Sequence, residues 1–115
     1  MGEILKASTV KISLNRGDSA SFPLSLTKAD GSRFLPDKAK GEKVTFTVRQ
    51  GPKSEEYPVI IQKDITGTRI EIEPEDTRDM DYGSYIFDIE AVWLGEELET
   101  ETVIIGQLNV LAEVT

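Results

Sequence analysis

The sequence predicts an all-β protein, an antiparallel sandwich of about seven to eight short strands. Three observations predict it. Apolar residues recur at every second position, turn-forming residues punctuate the chain at short intervals, and no segment holds a helical period of useful length. A chain of 115 residues, 38% hydrophobic and 30% charged, is sized for a single domain over residues 1–115 with one core.

The first predicted strand carries Val10, Ile12 and Leu14 against Lys11 and Ser13. Asn15-Arg16-Gly17-Asp18 then turns the chain into a second strand with Phe22, Leu24 and Leu26 inward. A longer loop with Asp30-Gly31 at its tip runs through Pro36 to the Val44, Phe46, Val48 strand. Tyr57 to Lys63 and Thr68 to Glu73 read as two further strands, joined by a Thr66-Gly67-Thr68 hairpin turn. Tyr85, Phe87, Ile89, Ala91 and Trp93 then alternate with Ile86, Asp88 and Glu90 in the longest strand. Leu94-Gly95-Glu96 turns it back, and two last strands are expected over Glu97–Ile104 and Gly106–Val114.

One segment breaks the alternation. Residues 74–80 place Pro74 at a favoured first helical position, with Glu75 and Asp76 suited to the positive end of a helix. A single helical turn is expected there, bridging two strands and sending Met80 into the core.

That turn leads into Asp81-Tyr82-Gly83-Ser84-Tyr85-Ile86-Phe87. The spacing is similar to the Asp-x-Gly-x-Tyr-x-Cys run that opens strand F of immunoglobulin-type sandwiches, with Phe87 where a cysteine would stand. Asp81, Gly83, Tyr85 and Phe87 are therefore the expected structural corner, Tyr85 bonding upstream backbone through its hydroxyl and Phe87 filling the half-cystine's volume.

Composition removes whole classes of chemistry. With neither cysteine nor histidine, the chain has no disulfides, no thiolate nucleophile, no Cys/His zinc site and no Ser-His-Asp triad. No catalytic residue, cofactor or metal site is expected. A net charge of −8 argues against nucleic acid as a partner. No apolar run, Val103-Ile104-Ile105 included, is long enough to span a membrane, and Met1–Leu14 builds no secretory apolar region, so a soluble chain is expected. Charge is uneven: residues 1–70 hold 12 basic and 8 acidic side chains, whereas residues 71–115 hold 1 and 13. Such asymmetry suits either a solvated acidic sheet face or steering toward a complementary surface.

Four short patterns invite functional readings. Arg16-Gly17-Asp18-Ser19 spells an adhesive tetrapeptide, yet each residue has a turn-forming job and the turn is the reading adopted. Glu75, Asp76, Asp79 and Asp81 could offer oxygen ligands, but their spacing departs from a calcium loop and fits capping and solvation. Glu96, Glu97, Glu99 and Glu101 resemble an exposed strand face or a protected edge. Trp93, Tyr82 and Tyr57 are the aromatic candidates for an interface.

Residues 70–115 also resemble a known family. The runs Ile70 to Thr77, Met80 to Glu90, Glu101 to Val110 and Glu113 to Thr115 are similar to the N-terminal domain of tailed-phage baseplate upper proteins. Gly17-Asp18-Ser19, the Leu24/Leu26 strand, Asp30-Gly31 and the Val44 to Val48 strand extend the likeness more loosely, and Phe87 replaces the family's usual tyrosine. The resemblance implies an immunoglobulin-like β-sandwich and a non-enzymatic virion structural protein of the baseplate, tail, neck or head. It would be assembled in the host cytoplasm by docking on other virion proteins and on further copies of itself around a symmetric ring. The alternative is a carbohydrate- or host-surface-binding sandwich, which needs exposed aromatics gathered on one face.

Overall fold

A computed structural model describes residues 4–7, 11–28, 30–65 and 69–112. Val10, the Thr66-Gly67-Thr68 turn, the Glu113–Thr115 end and, with it, the last residues of the predicted Gly106–Val114 strand lie outside the described residues. The fold is all-β and sandwich-like. Its strands are β1 (Ile4–Ala7), β2 (Lys11–Asn15), β3 (Ala20–Pro23), β4 (Leu26–Lys28), β5 (Lys43–Arg49), β6 (Ile61–Asp64), β7 (Arg69–Ile72), β8 (Gly83–Leu94) and β9 (Leu98–Leu111). A 3-10 turn covers Lys38–Lys40, and α1 is the four-residue turn Pro74–Thr77.

One sheet runs in the order β2-β9-β8-β5-β6, and shorter pairs β1-β4 and β3-β7 supply the opposing layer. Pairing is antiparallel except between β2 and β9, where Lys11 to Asn15 run parallel to Gln107 to Leu111. Period-two patterning decides what goes inward. Ile12 and Leu14 from β2, Val44, Phe46 and Val48 from β5, and Tyr85, Phe87, Ile89, Ala91 and Trp93 from β8 are all buried. Ile70 and Ile72 of β7, with Leu24 and Leu26, meet them from the other side in one core. At its centre the Phe46 and Phe87 rings lie 5.3 Å apart at 44°, a tilted contact that adds to the about 1.5–3 kcal/mol from burying each ring.

The expected helical turn at residues 74–80 appears as α1 and a following bend. The Glu73 N–H donates to Asp76 Oδ2 at 2.7 Å, satisfying a donor at the helix start. Thr77 is fully buried and Met80 enters the core. The segment carries the chain from β7 in one layer to β8 in the other.

Two boundaries differ from expectation. The last two predicted strands form one continuous strand, β9, because Gly106 does not turn the chain: it sits directly opposite Phe87 within the ladder. A glycine beside a large ring leaves room without breaking the pairing. The strand expected from Tyr57 begins only at Ile61. Pro58 has no N–H to give a ladder, and Val59 and Ile60 are exposed.

Candidate functional site

The corner residues come together at the start of β8. The Tyr85 hydroxyl donates to the Asp81 carbonyl oxygen at 2.7 Å, and the ring is buried. Gly83 between them adopts φ of 139°, a conformation that side-chain-bearing residues rarely hold. Burial pushes the Tyr85 phenol above its ordinary value, the nearby Asp81 charge adding to it. Phe87 lies fully inside the core.

The adhesive-looking tetrapeptide is a tied-down turn. Asp18 N–H donates to Asn15 O, and Gly17 N–H donates to the buried Thr77 Oγ1 at 2.9 Å. Arg16 stacks over Tyr82, 4.3 Å from the ring centroid, and donates to the Tyr82 hydroxyl and the Met80 carbonyl. The arginine is thereby committed to the β7–β8 crossover.

The three aromatic candidates are not brought together. Tyr82 is 51% exposed and precedes β8, whereas Trp93 sits near its far end, about 36 Å away along an extended strand. Trp93 belongs to the core at 9% exposure, so it presents no free ring for an interface. Its Nε1 is buried without a hydrogen-bond partner among the described residues. Tyr57 lies in the β5–β6 loop with its ring against Gly51, where a Cβ would come within 2.7 Å of it.

Acidic residues divide into paired and unpaired sets. Asp76 takes Lys63 Nζ at 2.7 Å besides its capping bond, which uses the carboxylate structurally. No cluster of three acids able to hold a metal ion occurs among the described residues. On the outer face of the large sheet, Arg49 Nη1 donates to Asp88 Oδ2 at 2.8 Å, both side chains nearly covered. Beside them Lys53 meets Glu90, and Gln62 donates to Thr47 Oγ1 at 3.3 Å. Burial pushes the Asp88 carboxyl up, against the pull of Arg49. Alternation predicted an outward Asp88 but missed its burial. The available signal was a basic residue closing the Val44–Val48 strand and an acid in the middle of another, which the register sets diagonally across from each other.

These pairs also locate the charge asymmetry. Arg49–Asp88, Lys53–Glu90 and Lys63–Asp76 each join a cation from the first 70 residues to an acid from the last 45. Three of the 13 acids in that segment are therefore neutralised within the fold.

Four further acids lie at the β8–β9 hairpin. Glu96, Glu97, Glu99 and Glu101 have no cationic partner among the described residues. Cross-strand register sets Glu99 opposite Trp93 and Glu101 opposite Ala91, so both point to the inner face. Leu94 and Leu98, paired with each other, are exposed on the outer face, as is Ile105 at 69%. Glu42, which sequence reasoning overlooked, moors this hairpin. One carboxylate oxygen accepts from Leu94 N–H at 2.9 Å and the other from Asp37 N–H at 3.0 Å. Leu98 packs close above Gly41.

Among the described residues β9 is paired along only part of its second edge. β8 pairs along its whole length, but β2 covers only Gln107 to Leu111 on the other side. Among the described residues nothing pairs the outer edge of Leu98–Gly106, although β1 comes near. Val103 is an extra residue in the ladder with β8, a bulge that bends this stretch.

Fold and site together define an all-β, sandwich-like protein with an acidic, half-open hairpin. Compared with known proteins, the chain matches no protein-family model and no curated relative.

Proposed function

We propose that the chain is a protein–protein docking module with no catalytic role, an immunoglobulin-like sandwich that serves as a structural or assembly protein of a bacteriophage virion. The observation that carries the docking reading is β9 itself, a long strand whose Leu98–Gly106 stretch pairs, among the described residues, on one side only and bears exposed Leu98 and Ile105. Such an edge is a template for another chain. The immunoglobulin-like reading draws on the β2–β9 parallel pairing, the crossover through α1 and the Tyr85–Asp81 bond. The virion reading draws on the sequence runs from Ile70 to Glu90 and Glu101 to Val110. Its partners would be other virion proteins, with further copies of the chain around a symmetric ring, at the baseplate, tail, neck or head. Dispersal of Tyr57, Tyr82 and buried Trp93 weighs against a sugar-binding aromatic platform.

Mass spectrometry of purified particles tests the proposal. Particles released by the phage or prophage that encodes the chain should contain it in fixed ratio to their other structural proteins. Complete particles that lack it would overturn the reading.

A further inference from the structure

Three features of the β8–β9 hairpin point to one kind of occupant for the open edge. Among the described residues its backbone along Leu98–Val103 pairs with β8 alone. Its side chains alternate, with Glu99 and Glu101 to the inner face and Leu98, Thr100 and Thr102 to the outer. Its remaining acids, Glu96 and Glu97, extend the same negative field beyond the strand. We infer that this edge accepts an extended lysine- or arginine-bearing segment of a partner protein as an added strand, which rests on the docking reading above and names the partner's chemistry.

Main-chain hydrogen bonds would hold such a segment, and alternate side chains would select it. Cations at every second position fall beside Glu99 and Glu101, and small aliphatic residues between them fall beside Leu98 and Thr100. A second copy of this chain is a poor occupant, because two such edges would bring acids against acids. The hairpin is held in advance by Glu42 and by the packing of Leu98 on Gly41, so little ordering is required of the receiving strand.

The test uses the full chain labelled for NMR and an alternating Lys-Val peptide. Binding should shift and protect the amides of Leu98–Val103 and leave β6, the other edge of the sheet, unchanged. It should weaken about tenfold between about 0.05 and about 0.5 M salt, and about tenfold in the Glu99→Gln/Glu101→Gln double variant. The same peptide with N-methylated backbone amides keeps its charge and should give no protection. Equal binding of the methylated peptide would reduce the contact to charge attraction and overturn the inference. So would equal binding of an alternating Glu-Val peptide, or a peptide-free dimer in sedimentation that protects Leu98–Val103. Loss of peptide binding in a chain still incorporated into particles removes strand addition and leaves the docking reading standing.

Discussion

The two halves of β9 share one strand and one hairpin yet do opposite work. From Ile104 to Leu111 the inner-facing positions are Ile104, Leu108 and Val110, all buried, and β2 joins β8 in flanking most of that length. From Leu98 to Val103 the corresponding positions are Glu99 and Glu101, and among the described residues only β8 pairs with the strand. The alternation is unbroken in register apart from the Val103 bulge; what changes is which chemistry occupies the inward positions. Where those residues are aliphatic they are buried in the core, and where they are acids Glu99 is exposed and Glu101 half-buried.

Substitutions should therefore separate the two halves and their supports. The largest loss is expected from Phe87→Ala, which empties a fully buried site against Phe46 and Gly106 and should cost about 3–5 kcal/mol in urea unfolding. Leu108→Ala, in the closed half, should cost about 2–5 kcal/mol. Its counterpart in the open half, Thr100→Ala, should stay within about 0.5 kcal/mol. A similar cost for both would erase the distinction.

Arg49→Ala should cost about 3 kcal/mol at neutral pH, because it strands the buried Asp88 charge. The sign with pH follows from the raised Asp88 carboxyl. A carboxyl raised in the folded state binds more protons there, so the penalty is relieved as pH falls toward the unfolded carboxylate value and returns as pH rises through the folded one. Titration of the variant should show recovered stability in acid, measured against the parent under the same conditions.

Tyr85→Phe removes the bond to Asp81 and should cost about 1 kcal/mol. Since the phenol is raised in the fold, its contribution is intact below the unfolded value and is lost as alkaline pH passes through the folded one. The phenylalanine variant should lose that part of the alkaline sensitivity. The smallest effect is expected from Lys53→Ala, whose exposed pairing with Glu90 should contribute less than about 0.5 kcal/mol and vanish in high salt.

Strand positions were written in the sequence because burial is decided by side-chain alternation within each strand. Phe46, Phe87 and Ile89 declare their face without reference to any neighbour. The turn at residues 74–80 was legible for the same reason, as proline and acids act on the backbone locally. What depends on distant partners was not. Gly106 reads as a break until Phe87 is seen opposite it. Asp88 reads as solvated until Arg49 covers it. The acidic C-terminal run reads as a single charged surface until three of its carboxylates turn out to face lysines and arginines of the first half. The hairpin's acids were recognised as an edge or an exposed face, but which of its flanks pairs with β8 and which with β2 depends on distant strands.

The parallel pairing of β2 with β9 also bears on how the chain is made. Lys11 must find Gln107, and Asn15 must find Leu111, across almost the whole length of the polypeptide. Loop closure over such separations is slow, placing the protein among the sheet-rich domains that fold in about milliseconds to seconds. On the ribosome β2 emerges before the other strands of the large sheet and waits for β9, the last of them in chain order. Until then its Ile12 and Leu14 have no neighbouring strand in the large sheet, so the first strand of that sheet to be made is among the last to be secured.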